Sequence, residues 1–98
     1  MSTDIASNTV KALDEYGADF GTVRTYGAPG CTAWRFVRFP ADDGGQIEVQ
    51  YDLAGGETTR VRRGTAFGWI LFEATFSAAT PASIVIDTIR AAACWVDE

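Results

Sequence analysis

Residues 67–76 read FGWILFEATF, the most apolar decapeptide in the chain. The stretch holds one of three tryptophans and three of six phenylalanines. Leaving one such aromatic in water forgoes about 1.5–3 kcal/mol, so burial is expected and the rest of the chain must supply the cover. As a strand, Phe67, Trp69, Leu71 and Glu73 share one face, while Gly68, Ile70, Phe72, Ala74 and Phe76 share the other. As a helix, Phe67, Ile70, Leu71 and Ala74 form one stripe. Aromatic and β-branched enrichment favours the strand. Gly68 opposes a helix by about 1 kcal/mol relative to alanine. Both strand faces are largely apolar, the pattern of a strand covered on two sides.

The segments around it set what can cover it. Residues 46–53 (QIEVQYDL) alternate strictly, Ile47, Val49, Tyr51 and Leu53 against Gln46, Glu48, Gln50 and Asp52, so one face is dry and one wet. Residues 54–57 (AGGE) form a hairpin turn, and residues 58–63 (TTRVRR) follow with Thr59 and Val61 on one face and Arg60 and Arg62 on the other. A further turn is expected around 63–65. Earlier, 19–27 and 31–39 read as strands separated by the turn cluster 27–30, with a loop over 40–45. Two amphipathic helices close the ends. Residues 2–17 repeat Ile5, Thr9, Val10, Leu13 and Tyr16 at three- and four-residue spacing, with Gly17 as the stop. Residues 81–95 carry Ala82, Val85, Ile86, Ile89, Ala92 and Ala93 as a core stripe, with Thr80 as capping hydroxyl and Pro81 at the first helical position. The expected architecture is a single α+β domain over 1–98: a mostly antiparallel five-stranded meander sheet with an N-terminal and a C-terminal helix, α-β-β-β-β-β-α. If both helices take one face, Phe67 and Trp69 are left exposed on the other as an apolar patch.

Composition narrows the chemistry. There is no histidine, which removes the usual base at neutral pH, the commonest zinc ligand and any Ser-His-Asp or Cys-His device within the chain. No glycine set opens a helix after a strand in a phosphate-binding pattern. No cofactor and no metal site is expected. Residues 42–45 (DDGG) are acidic and glycine-rich, but a calcium loop needs oxygen ligands at fixed positions and a distal glutamate, and Glu48 stands at the wrong distance. Those residues read as a turn, or as an acidic tip offered to a basic groove. Cys31 and Cys94 are far apart in sequence; with no export signal at the N-terminus, two free thiols are expected. No apolar run is long enough to span a bilayer, so a cytoplasmic protein is expected, in a bacterial or a host cell.

The net charge of −5 argues against direct nucleic-acid binding. Tyr26, Trp34, Phe36 and Phe39 interleave with Arg24, Arg35 and Arg38 in the manner of a base-stacking surface, but Asp4, Asp14, Glu15 and Asp19 neutralise that half of the chain. On the wet face of 46–63, Glu48 and Asp52 fall opposite or diagonal to Arg60 and Arg62, as a self-neutralising sheet surface or as one read by a partner.

The expected function is a small acidic non-enzymatic protein-binding module. A narrower form is a phage- or mobile-element-encoded inhibitor of a host nucleic-acid-binding defence complex of the CRISPR type, whose carboxylates occupy a site built for phosphate. The candidate binding residues are Asp42, Asp43, Glu48, Asp52, Glu57, Arg60, Arg62, Phe67 and Trp69. The partner is another protein with a basic surface; no nucleic acid and no membrane is contacted directly, and the chain is a monomer or homodimer. Two other classes remain open. One is a small-ligand or catalytic pocket centred on Glu73, among Trp34, Trp69 and Trp95. The other is a structural component that self-assembles through an edge strand.

Overall fold

A computed structural model describes residues 5–27, 33–53 and 58–94, with the backbone alone for 5–8. The sheet grows from residues that alternate. Strands β1 (Thr22–Tyr26), β2 (Trp34–Pro40), β3 (Gln46–Asp52), β4 (Thr59–Gly64) and β5 (Ile70–Phe76) lie in chain order, each antiparallel to the next. Helices α1 (Ile5–Phe20) and α2 (Ala82–Ala93) flank them in sequence, so the α-β-β-β-β-β-α meander is what the chain forms.

Register decides what each face carries. Val23, Val37, Val49, Val61 and Ala74 stand in one row across all five strands, and Phe39, Ile47, Arg63 and Phe72 stand in the next row on that side. Both helices cover this face: α1 packs on β1 and β2, α2 on β3 and β4, and the helices touch each other. Leu13 from α1 and Val85, Ile89 and Ala92 from α2 join Val37, Phe39, Ile47, Val49, Tyr51 and Val61 in the core. Each buried branched or aromatic side chain contributes about 1.5–3 kcal/mol. No described element covers the opposite face of the sheet.

Several boundaries move, each for a physical reason. Helix α1 does not stop at Gly17 but runs through it to Phe20. Gly17 is there for proximity: a Cβ would sit 2.9 Å from Val37 Cγ1, so only glycine lets the helix lie this close to β2. Pro81 precedes the helix at its N-cap in an extended conformation (φ −59°, ψ 142°), and no side chain caps α2. The Thr80 hydroxyl instead pairs with that of Ser77 at 3.2 Å, while the Thr80 carbonyl accepts from Thr9 Oγ1 at 3.0 Å and ties α2 to α1.

The largest correction concerns 67–76. The strand begins at Ile70, and residues 65–69 form the β4–β5 turn. Phe67 is 89% and Trp69 74% exposed, so the expected burial of the whole stretch does not occur. Thr65 organises this turn. Its hydroxyl accepts from the backbone of Phe67 at 3.2 Å and of Trp69 at 3.1 Å, and its own N–H donates to the Trp69 carbonyl at 2.8 Å. Gly68 takes φ +90°, which other residues rarely adopt. Local turn chemistry thus outweighs apolarity at 67–69, and only Phe72 and Phe76 reach the core's edge.

One charged side chain lies fully inside. Arg63 is 0% exposed, in the row between Ile47 and Phe72. Its Nε donates to the Ala92 carbonyl at 2.9 Å, its Nη1 to the Gly64 carbonyl, and its Nη2 pairs with Asp43 Oδ1 at 2.8 Å. Asp43 Oδ1 also accepts from the Gly45 backbone at 2.9 Å. A Cβ on Gly45 would run into Arg63 Nη1 and the Gly64 carbonyl, so glycine is needed beside the guanidinium. Asp42 N–H donates to the Ala93 carbonyl at 3.1 Å. One cation therefore joins the loop over 41–45, the end of β4 and the C-terminal turn of α2.

Removing one partner of a buried charged network costs about 3–5 kcal/mol. Arg63→Leu strands the Ala92 and Gly64 carbonyls, and urea unfolding is expected to show a loss of that order; a change under about 1 kcal/mol contradicts this anchoring role. The Gly45 N–H, and then the Arg63 guanidinium, hold the Asp43 carboxyl below its ordinary value of 3.8. The stability it adds is thus complete above about pH 4 and is lost as the pH falls through the lowered folded value. Stability measured from pH 6 to pH 2 should fall less steeply in Asp43→Asn than in the parent.

Candidate functional site

Alternation and register place the side chains of the uncovered face in rows. One row runs Thr22, Arg38, Glu48, Arg62, Glu73 across the five strands; the next runs Arg24, Phe36, Gln50, Arg60, Thr75; the third holds Tyr26, Trp34 and Asp52. The first row is a ladder of alternating charge. Arg38 pairs with Glu48 at 3.3 Å, and Glu73 bridges Arg62 at 3.0 Å and Arg60 at 3.3 Å. All these side chains are well exposed, so each pair is worth about 0.2–1 kcal/mol and serves the surface more than the fold.

The face is richer in cations than the chain as a whole. Arg24, Arg38, Arg60 and Arg62 stand against Glu48, Glu73 and the enclosed Asp52, in a protein of net charge −5. Among the described residues Arg24 makes no ion pair. Beside it an open cleft of about 500 Å³ is lined by Thr22, Arg24, Tyr26, Phe36, Arg38 and Glu48. Tyr26 and Phe36 meet edge to face with centroids 5.1 Å apart. A smaller hollow of about 110 Å³ continues along Phe36, Glu48, Gln50, Arg60 and Arg62.

The nine sequence candidates separate into groups. Glu48, Arg60 and Arg62 lie in the charged rows, with Glu48 directly opposite Arg62. Asp52 shares this side of the sheet opposite Trp34, but it is 4% exposed and not the wet residue expected. As the last residue of β3, with an indole-bearing cross-strand neighbour, it is closed off from solvent. Asp42 is exposed, whereas Asp43 is committed to Arg63 and the Gly45 N–H. Phe67 and Trp69 project from the β4–β5 turn, at the end of the sheet that also carries the 41–45 loop; Gly44 and Ala66 lie side by side there. Glu57, Cys31 and Trp95 fall outside the described residues. Glu73 is a surface carboxylate between two arginines, Trp34 stands opposite Asp52 and Trp69 is at the turn, so neither of these two tryptophans closes around it. Cys94 is an exposed free thiol. No group of metal-ligating side chains occurs among the described residues, and no described helix is long and apolar enough to cross a membrane.

Two features escaped the sequence reading. The aromatic-arginine group divides between the faces: Arg35 and Phe39 point to the helices, while Arg24, Tyr26, Trp34, Phe36 and Arg38 share the open side. Odd and even positions in the two strands carried that division. Arg63 also continues the inward parity of Thr59 and Val61, but a turn was expected there.

A second polar cluster holds α1. Asp14 receives the Tyr51 hydroxyl and pairs with Arg35 at 2.5 Å, and Arg35 Nε donates to Thr25 Oγ1 at 3.3 Å. Burial, and then the Asp14 carboxylate, push the Tyr51 phenol well above its ordinary value. Its proton is held as a structural donor, which leaves it unsuited to act as a base near neutrality. The chain matches no protein-family model, no characterised protein and no solved structure.

The raised phenol stabilises the fold below about pH 10, and that contribution is lost as the pH rises through the folded value. Absorbance titration near 295 nm should show one tyrosine ionising only as the protein unfolds in alkali, a step absent from Tyr51→Phe. A wild-type titration without that late step contradicts the buried hydrogen bond.

Proposed function

We propose that this protein is a small, non-enzymatic, cytoplasmic protein-binding module that meets its partner with the uncovered face of its sheet. The observation that carries the reading is the contrast between the two faces. One is covered by both helices across β1 to β4; the other presents aromatic side chains at one corner, a charged lattice across the middle and the exposed Ile70 opposite Gly64 at the far end, next to the turn that carries Phe67 and Trp69. Binding surfaces draw most of their energy from a few aromatic and arginine anchors, and both residue types are concentrated here. The charged rows supply register and selectivity more than affinity.

The narrower inhibitor reading draws on the chain's acidic balance and on carboxylates away from this cation-rich face, such as the exposed Asp42. It requires that nucleic acid and this protein exclude each other on the captured partner.

Capture from a lysate of the source cells tests the proposal when done with charge-reversed surfaces. Arg38→Glu combined with Arg60→Glu alters the open face; Glu15→Lys combined with Asp87→Lys alters exposed helix positions. Circular dichroism and the urea midpoint establish that both are folded. The partner held by the parent should be retained by the helix variant and reduced at least tenfold by the sheet variant. Equal capture by both variants, or loss only with the helix variant, overturns the proposal.

A further inference from the structure

The cleft at the β1 corner combines three properties that together specify a ligand. Its cation Arg24 has no carboxylate partner among the described residues, whereas Arg38, Arg60 and Arg62 each have one. Its aromatic wall is the Tyr26–Phe36 pair, with Tyr26 half exposed. Its outer boundary is an edge strand: β1 pairs only with β2, and all five of its residues are exposed. Among the described residues nothing takes up the outward backbone N–H and C=O groups of β1.

We infer that β1 and this cleft form a recognition site for an extended peptide segment of a partner protein, one that adds as a sixth strand and carries an acidic and an aromatic side chain two residues apart. The inference rests on the open face being the binding surface and names what that surface reads. A strand added beside β1 would lie at about 4.8 Å, so alternate side chains of the peptide fall on the open face beside Thr22, Arg24 and Tyr26. Directly opposed side chains have Cβ atoms about 4.5–5.5 Å apart, within reach of a bidentate carboxylate–guanidinium pair at Arg24. The neighbour two positions along the same face meets the ring of Tyr26 and the cleft floor at Phe36. The spacing of the two recognition residues is therefore set by the strand repeat.

The surroundings favour a peptide over a nucleic-acid strand. A phosphate chain running on across the sheet would meet Glu48 and Glu73 in the adjoining row, and a single unpaired guanidinium neutralises one anionic group, not a series. The β5 edge offers no equivalent, because the carboxylate of Glu73 on its open side is already engaged by two arginines.

The test uses the full chain and labelled eight-residue strand-forming peptides followed by fluorescence anisotropy. The first carries an aspartate and a phenylalanine two positions apart; the second has lysine for the aspartate; the third has the aspartate and phenylalanine on adjacent positions. The first should bind, and the second and third at least tenfold more weakly. Arg24→Glu should lose the first peptide and gain the second, with an unchanged urea midpoint. Arg24→Lys, which keeps the charge without the fork, should lie between. Equal binding of all three peptides, no binding of the first, or tighter binding of a labelled oligothymidine than of any peptide overturns the inference. Peptide failure combined with loss of partner capture in the Arg38→Glu, Arg60→Glu protein removes this ligand and keeps the open-face reading; undiminished capture in that protein removes both.

Discussion

The buried guanidinium of Arg63 is the constraint on which much of this fold depends. A charge taken out of water costs several kcal/mol unless its donors are matched, and here they are matched by the carbonyls of Ala92 and Gly64 and the carboxylate of Asp43. Those partners come from three separate parts of the chain. The last turn of α2 is held over β4, and the loop over 41–45 is drawn beneath it, with Gly45 bare so that the guanidinium fits. At the other side of the helix layer, Asp14, Tyr51 and Arg35 fix α1 over β2 and β3. Each helix thus has its own polar tie to the same face of the sheet. Apolar area alone does not specify position along a flat sheet; matched donors and acceptors do.

That placement has a functional consequence. With both helices on one side, five strands are left bare on the other, and their side chains answer to solvent and partners instead of the core. Arginine appears in four settings: enclosed at position 63, half enclosed at position 35, exposed on α2 at position 90, and on the open face of the sheet at 24, 38, 60 and 62. The same planar fork satisfies carbonyls inside and pairs with carboxylates outside. The open-face group is where the molecule departs from its own average, a face with more cations than anions on an acidic protein. A partner steered to this face therefore finds local charge that the overall pI of about 4.5 conceals.

The sheet order and the helix positions were legible because β3 and β4 alternate cleanly and both helices carry three- and four-residue spacing. The charged rows were legible for the same reason: Glu48, Arg60 and Arg62 fall on the open side by parity. What was not legible came from close-range geometry. Gly17 looked like a helix stop but is a point of close approach to Val37. Summing hydrophobicity over 67–76 predicts burial of the whole stretch, but two helices on one face predict an exposed Phe67 and Trp69; they are exposed, in a turn that Thr65 and Gly68 shape instead of in a strand. Arg63 stood at an inward position, but charge at such a position reads as a strand end until the partners from a distant loop and helix are in place. Asp52 was placed outside by parity alone, which does not reveal how closed the end of β3 is.

The central claim is that one side of the sheet is sealed and the other open in solution. Solvent paramagnetic relaxation, measured by NMR with a neutral soluble probe, tests it residue by residue. The account predicts strong relaxation of side-chain protons of Arg24, Phe36, Gln50, Arg60 and Thr75, and protection of Val37, Val49, Val61 and Ile89. Comparable protection of both sets would show the open face covered, by a second copy or by another part of the chain, and would contradict the account.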